Sequence, residues 1–141
     1  MGDDTLRTVS MTRVGLGRYE ITNARGGKMT IGAGDDDDFS PVELLLAAIG
    51  GCTAVDVDHI TSRRAEPTSF DVTVTGDKLR DAEKGNRMEN LAVTFTVRFP
   101  DGAEGDSARE ALPRAAKQSH DRLCTVSRTV EAGTPVQVVL D

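Results

Sequence analysis

Two cysteines are the residues of this 141-residue sequence best suited to chemistry. Cys52 lies in the apolar stretch SPVELLLAAIGGCTAVDV, residues 40–57, and Cys124 begins the stretch Cys-Thr-Val-Ser, which we expect to follow a helix and to be open to solvent. Two thiols can form a reversible redox pair, ligate a metal or pack inertly in a core. Free cysteine is among the most buried residue types, so the helix pattern around Cys52 by itself favours an inert core thiol.

A metal site is the weaker chemical interpretation. Cys52, His59, His120 and Cys124 would make a Cys2His2 set for zinc. However, Cys52 and His59 are seven residues apart on one predicted helix, about 10 Å along its axis, which is too far to share an ion. His120 and Cys124 could chelate together, but two ligands would then be missing. We therefore expect no metal, and we expect both histidines to be ordinary, partly exposed residues.

Activation of Cys52 needs help from outside its own helix. The thiol is twelve residues past the predicted helix start at Ser40, about 18 Å along the axis, whereas a helix dipole acts mainly within the first turn. Gly50 and Gly51 could break the helix, or they could let another backbone or a substrate approach closely. Apolar surroundings and a charged Asp56 one turn later would both raise the thiol pKa. A reactive Cys52 therefore requires a cation, for which an arginine is the expected source.

The elements that must position these residues follow from periodicity and turn chemistry. Ser40, Pro41 and Glu43 combine an N-cap, a first-turn proline and a capping box, so a helix should begin here and run to about Arg64. Its first three turns are apolar on almost every face, which predicts enclosure by other elements. A second capping box at Ser107 precedes another helix. Alternation predicts strands over residues 8–14, 19–23, 28–31, 70–75, 91–99 and 136–140. The order βββ-α-ββ-α-β indicates an α+β fold in a single domain, residues 1–141.

Charge and length restrict the partners. The net charge of -6 argues against nucleic acid or an anionic membrane, since both require basic patches. The longest apolar run, residues 44–55, makes a helix of about 18 Å, too short for a bilayer. No basic stretch precedes an apolar run at the N-terminus, so we expect a soluble, cytoplasmic protein. Its two cysteines are then not a structural disulfide.

The two cysteine motifs carry a resemblance. SPVELLLAAIGGCTAVDV resembles the central helix of the OsmC/Ohr family, the osmotically inducible and organic hydroperoxide resistance proteins. Residues 119–127, Ser-His-Asp-Arg-Leu-Cys-Thr-Val-Ser, resemble the second motif of that family, with its partner cysteine in a Cys-x-x-Ser setting. The resemblance implies an intertwined homodimer in which two small antiparallel sheets surround long central helices. Such a dimer would enclose the apolar helix.

The resemblance also implies a thiol peroxidase without a metal or nucleotide cofactor. Cys52 would attack a small apolar hydroperoxide and become a sulfenic acid, and Cys124 would resolve it as a disulfide. An external dithiol of the dihydrolipoyl type would then reduce the disulfide. The activating arginine would be Arg18, with Arg25 as its competitor.

One position departs from the hydroperoxide-resistance branch. In that branch, the glutamate paired with the arginine follows the proline directly, and here Val42 occupies that place. Glu43, one residue later, could support the site, but its capping-box role explains it better. The alternative function is non-enzymatic: the same fold would bind a small apolar ligand or sense oxidation, and Cys52 would be structural.

Overall fold

The computed structural model describes residues 5–141, which pack as two compact units divided after Leu45, within the first helix. The class is α+β, as predicted. The strands are β1 (Val9–Gly15), β2 (Arg18–Asn23), β3 (Lys28–Ile31), β4 (Ser69–Leu79) and β5 (Arg87–Arg98). The helices are α1 (Pro41–Ser62), α2 (Ala103–Gln118) and α3 (Thr125–Ala132), with a five-residue π-helical turn, Ser119–Leu123, between α2 and α3. The prediction of a single domain stays a prediction.

The first unit is built around an antiparallel sheet of β1, β2 and β3, in that order. Alternating side chains and two glycine turns form it, because Gly17 (φ 69°) and Gly26 (φ 92°) adopt the left-handed conformation that tight turns require. Tyr19 pairs with both Arg13 and Ile31, so β2 is the central strand. These three strands match their predicted positions to within two residues.

Helix α1 begins with the predicted capping box. Ser40 N–H donates to Glu43 Oε1 at 2.9 Å, and Glu43 N–H donates to Ser40 Oγ at 3.2 Å. Two of the N–H groups at the helix start are thereby satisfied. The helix continues through Gly50 and Gly51 to Ser62, so the glycine pair does not break it.

The burial of α1 is one-sided in the single chain. Its buried residues recur at helical spacing and are Ile49, Gly50, Thr53, Val57 and Thr61. Ala47, Ala48, Gly51 and Val55 are exposed, so the predicted enclosure on almost every face is not met by this chain alone. At 22 residues, α1 is long and apolar enough to cross a membrane by length and composition, a criterion that the core helices of soluble proteins also meet.

The second unit contains a compact aliphatic and aromatic core. Strands β4 and β5 form a long antiparallel ribbon, in which Phe70 and Phe95 meet edge to face with ring centroids 6.1 Å apart. The residues packed with them are Ala65, Val97, Phe99, Ala108 and Leu112. This core packs α2 against the ribbon. The end of α2 in turn positions the segment that follows it, which contains Cys124.

Two predictions about the second unit are wrong, and one helix was missed. Helix α2 begins at Ala103 rather than at the Ser107 capping box, and Ser107 Oγ instead accepts a hydrogen bond from Arg64. Pro113 therefore lies inside the helix. Residues 136–140 form no strand: Val136 and Leu140 are 88% and 91% exposed, and no neighbouring strand pairs with this segment among the described residues. Helix α3 was not predicted at all.

Candidate functional site

The fold brings the two cysteines close together, although 71 residues separate them in sequence. Cys52 comes from the middle of α1, and Cys124 lies between the π-helical turn and α3. Both are free thiols, and each shifts the pKa of the other, so the two side chains are near neighbours. Two neighbouring thiols can pass between a dithiol and a disulfide when their Cα atoms lie within about 7 Å.

Cys124 is the N-cap residue of α3 and is fully buried, which corrects the expectation that it is open to solvent. Its Sγ accepts the N–H of Ser127 at 3.4 Å and lies 3.3 Å from Ser127 Oγ. Thr53 Oγ1 on α1 donates to the same sulfur at 3.3 Å. Burial opposes ionisation, but the hydrogen bonds from Ser127 and Thr53 outweigh it and lower the pKa of the Cys124 thiol.

Cys52 has the opposite tendency. It is partly buried, and burial raises the pKa of its thiol; contact with Cys124 raises that pKa further. The backbone N–H groups of Val126 and Thr125, at the start of α3, oppose this rise without cancelling it. Backbone N–H groups at the start of α3 therefore favour the ionised form of both cysteines.

The π-helical turn holds Cys124 in place. Cys124 N–H donates to the carbonyl of Ser119 at 2.8 Å, and the buried Ser119 Oγ donates to Asp56 at 2.8 Å. Asp56 was expected to raise the pKa of Cys52. Its carboxylate instead anchors the turn, and the rise in that pKa comes from burial and from Cys124.

A cavity of about 300 Å³ lies beside two residues that contact Cys124, although neither cysteine lines it. Thr53 and Ser127, the two residues whose hydroxyl groups contact Cys124 Sγ, form part of its wall. Most of the other lining residues are apolar: Ile49, Leu91, Val93, Phe95, Ala116 and Val130. The cavity can therefore receive an apolar group.

His120 and Glu131 supply the charged part of the lining. His120 Nε2 is 3.0 Å from Glu131 Oε2, and His120 Nδ1 is 3.0 Å from Asp121 Oδ1. Hydrogen bonds to Asp121 and Glu131 raise the pKa of His120, so its protonated form is favoured. The cavity thus has an apolar wall and one polar end.

The arginines and Glu43 lie in the first unit. Arg18, in β2, forms ion pairs with Asp36 and Asp38, which neutralise its charge. The backbone N–H of Arg25 donates to Asn23 Oδ1 in the turn after β2. Glu43 serves the capping box described above. Activation of a thiol by Arg18 or Arg25, and support of the site by Glu43, stay predictions.

Sequence reasoning missed Thr53, Ser127 and the cavity residue His120 as parts of this site. Ser127 ends the Cys-x-x-Ser motif, but cysteine is not a common N-cap residue, so no helix was predicted to begin at Cys124. Thr53 directly follows Cys52, but no sequence pattern shows which sulfur its hydroxyl will meet. The contact between α1 and the start of α3 is tertiary.

Comparison with known proteins gives a family match. The model of the family described as "OsmC-like protein" matches residues 34–139, which include both cysteines and most of the chain. Among curated proteins, an uncharacterized protein of Mycobacterium tuberculosis strain H37Rv is 29% identical over 128 residues, 89% of this chain and 90% of that protein.

Solved structures show the same fold. An OsmC-like protein of unknown function from Vibrio cholerae superposes with a TM-score of 0.73 at 12% identity, covering 89% of this chain and 94% of that one. The organic hydroperoxide resistance protein OhrB of Bacillus subtilis superposes with a TM-score of 0.55 at 18% identity, covering 89% and 90%. At these identities the likeness establishes the architecture alone.

Proposed function

The chain belongs to the OsmC-like protein family, and from that premise we propose that it reduces organic hydroperoxides through Cys52 and Cys124. The observation that carries the proposal is the proximity of two free thiols from different helices, with an apolar cavity next to the residues that contact Cys124. Hydroperoxide reduction needs these parts: a thiolate, a second thiol within reach and room for the organic group. The fold shared with OhrB of Bacillus subtilis, an organic hydroperoxide resistance protein, is consistent with it.

The reaction balances with these residues and one external reductant. A cysteine thiolate attacks the hydroperoxide O–O bond, takes one oxygen as a sulfenic acid and releases the alkoxide, which is protonated to an alcohol. The second thiol attacks the sulfenic sulfur, water leaves and the Cys52–Cys124 disulfide forms. An external dithiol, of the dihydrolipoyl class, then reduces that disulfide by two successive thiol–disulfide exchanges and is itself oxidised to a disulfide.

The cavity favours an apolar substrate. A ligand that packs against side chains such as Leu91, Val93 and Phe95 gains about 25 cal/mol of binding free energy for each square ångström of apolar surface buried. Hydrogen peroxide has no such surface and gains nothing from this wall. The enzyme should therefore reduce a hydroperoxide with an alkyl or aryl group faster than hydrogen peroxide.

A homodimer is part of the proposal. The single chain leaves apolar side chains of the first sheet and of α1 exposed, among them Val9 (65%) and Val55 (56%). Exposed apolar surface of this extent marks association sites in soluble proteins. A second copy of the chain would supply the enclosure that the apolar pattern of α1 predicts.

Peroxide consumption tests the enzymatic proposal. Cumene hydroperoxide and hydrogen peroxide would be given, with dihydrolipoate as reductant, to the wild type and to Cys52→Ser and Cys124→Ser. We expect rapid wild-type consumption of the organic peroxide, slower consumption of hydrogen peroxide, and loss of turnover in both variants. Ser40→Ala serves as a folded-protein control, because it removes a helix cap and neither thiol. Equal, slow rates for all four proteins would contradict the proposal.

The cavity also supports a second candidate function, binding of a small apolar ligand without catalysis. Cys124 is not among the residues that line the cavity, so ligand binding does not require a thiol. A Cys52→Ser/Cys124→Ser double variant separates the two. If it binds an apolar fluorescent probe with wild-type affinity while the wild type consumes no peroxide, the binding function is favoured.

A further inference from the structure

Helix α3 separates two pockets of different character. Its face with Ser127, Val130 and Glu131 lines the apolar cavity described above. The opposite face lines a second pocket, of about 310 Å³, with residues three, four and seven positions apart, which share one side of a helix. From α3 these residues are Thr125, Arg128, Thr129 and Ala132. We call this second space the arginine pocket, because Arg122 of the π-helical turn also lines it.

We propose that the arginine pocket binds a phosphate group, either free or carried by a small molecule. Arg122 and Arg128 bring two guanidinium groups to one pocket, and no carboxylate is among the described residues that line it. A guanidinium presents its N–H donors as a planar fork that matches the oxygens of phosphate. Neither cysteine lines this pocket, so the site is separate from hydroperoxide reduction and its test needs no peroxide.

The guanidinium of Arg122 is available to a ligand. Arg122 is exposed, and among residues 5–141 its guanidinium forms no ion pair and no hydrogen bond. Arg87, by contrast, pairs with both Asp81 and Glu89. The protein carries a net charge of -6, so acidic side chains are plentiful, yet none of those described compensates Arg122. A bound anion would supply the missing negative charge.

Arg128 is oriented by the same turn that carries Arg122. Its Nη1 donates to the backbone carbonyl of Asp121, and it forms no ion pair among the described residues. The Asp121 carboxylate does not neutralise it, because that carboxylate contacts Lys117 Nζ at 2.5 Å and His120 Nδ1 at 3.0 Å. One hydrogen bond therefore positions the Arg128 guanidinium, and its other N–H groups remain for a ligand.

The threonines satisfy acceptors on this face of α3 and add one donor. Thr129 Oγ1 donates to the Thr125 carbonyl at 2.7 Å, and Thr134 Oγ1 donates to the Thr129 carbonyl at 3.4 Å. These two hydroxyl groups thus bond to backbone oxygens that carry partial negative charge. The Thr125 hydroxyl bonds to no other described residue, so it can donate to a ligand.

The number of donors favours phosphate over a single carboxylate. Two guanidinium forks and the Thr125 hydroxyl offer more N–H and O–H groups than the two oxygens of one carboxylate can accept in good geometry. A phosphate monoester has three acceptor oxygens and a charge of about -1.5 to -2 at neutral pH. The size of the pocket also leaves room for a small organic group beside the phosphate.

Calorimetric titration of the reduced protein with inorganic phosphate, at constant ionic strength, tests the site. Arg122→Ala is the decisive variant, because its guanidinium contacts no described residue and its loss should not affect folding. We expect the dissociation constant for phosphate to rise about ten-fold or more, the effect of losing a charged hydrogen bond. Arg114→Ala removes an exposed arginine of α2 outside the pocket and should bind phosphate like the wild type. No saturable binding by the wild type, or equal constants for the wild type and Arg122→Ala, would overturn the proposal.

Two further titrants identify the source of the phosphate group. Tighter binding of glycerol phosphate than of inorganic phosphate would assign the site to a phosphorylated small molecule, and equal or weaker binding would assign it to free phosphate. Malonate, whose charges are on carboxylates, should bind more weakly than either. Malonate binding as tight as that of phosphate would overturn the choice of phosphate.

Thermal unfolding separates binding from a general salt effect. Phosphate also stabilises proteins by exclusion from their surface, and that effect should be the same in all three proteins. Binding to the folded state adds stability only where the site is intact. Phosphate should therefore raise the Tm of the wild type and of Arg114→Ala more than that of Arg122→Ala. Equal shifts in all three proteins would overturn the proposal.

Discussion

The starts of α1 and α3 are the same local structure built from different atoms. At α1, Ser40 Oγ accepts the N–H of Glu43, and at α3, Cys124 Sγ accepts the N–H of Ser127, in both cases three residues along the chain. The first cap is solvent-exposed, and its partner is a carboxylate. The second cap is buried, and it contacts Thr53 and a second thiol.

The difference shows how a structural position becomes a chemical one. An N-cap atom faces free N–H groups and the positive end of a helix dipole. An oxygen in that place has no reaction to undergo, so Ser40 only stabilises its helix. A sulfur in that place gains stabilisation of its negative charge, and a thiolate is the reactive form of cysteine.

Exchange of the sulfur for oxygen has the largest expected effect. Cys124→Ser should abolish hydroperoxide reduction while it preserves the α3 cap, so the free energy of unfolding should change little. Cys124→Ala should lose both the activity and the helix cap, and loss of the cap should lower the free energy of unfolding by about 1 kcal/mol. Peroxide consumption and urea unfolding measure the two effects. Equal stability of the two variants would show that the sulfur does not cap α3.

The next largest effect is expected from loss of the hydrogen bond between Asp56 and Ser119, which anchors the turn before the second cap. Asp56→Ala leaves the buried Ser119 hydroxyl without its acceptor, at a cost of about 1–3 kcal/mol. Asp58→Ala is the matched control, since among residues 5–141 Asp58 accepts a hydrogen bond only from Ser62, at an exposed site. Urea unfolding should separate the two variants. A loss of the same size from both would contradict a specific role for Asp56.

Removal of the first cap should affect stability alone. Ser40→Ala deletes the acceptor for Glu43 N–H and should lower the free energy of unfolding by about 1 kcal/mol. Turnover of cumene hydroperoxide at saturating substrate should stay at the wild-type value. A large loss of activity in a folded Ser40→Ala protein would mean that the α1 start takes part in the reaction.

Acid should weaken the first cap by a smaller amount. Hydrogen bonds from the Ser40 backbone and side chain lower the pKa of Glu43 below its ordinary value. A lowered folded-state pKa stabilises the fold above the unfolded pKa, about 4.3, and this contribution is lost as the pH falls through the folded value. The stability difference between wild type and Glu43→Gln should therefore be constant near neutrality and shrink below about pH 4. Urea unfolding of both proteins near neutrality and below about pH 4 measures this stability difference. A difference that grows on acidification would contradict the role assigned to Glu43.

The two caps also mark how far local sequence predicts this protein. Ser40-Pro41-x-Glu43 is a complete local signature, and the helix begins there. Cysteine is not a common cap residue, so the start of α3 had no such signature, and the whole helix was missed. The contact between Cys52 and Cys124 was expected only from family resemblance, since no local pattern brings together two residues from different helices.

Other differences have the same origin in tertiary structure. Arg18 pairs with Asp36 and Asp38, from a loop that had no predicted structure, and its activation of Cys52 stays a prediction. Residues 136–140 have the composition of a strand, but a strand requires a neighbour for its backbone hydrogen bonds. The periodicity of β1 to β5 predicts them well because each pairs with a strand close to it in sequence.

Of the two glycines before Cys52, Gly50 sets the spacing between α1 and the β4–β5 ribbon. A Cβ at Gly50 would lie 2.4 Å from a methyl carbon of Val74, whereas a Cβ at Gly51 would meet nothing within 4 Å. Only a hydrogen atom fits between the Gly50 backbone and Val74, whereas Gly51 has open space beside it. The smallest possible side chain at position 50 would push the helix away from the ribbon and carry Cys52 with it. The lack of a side chain at position 50 therefore keeps Cys52 at its present position relative to Cys124.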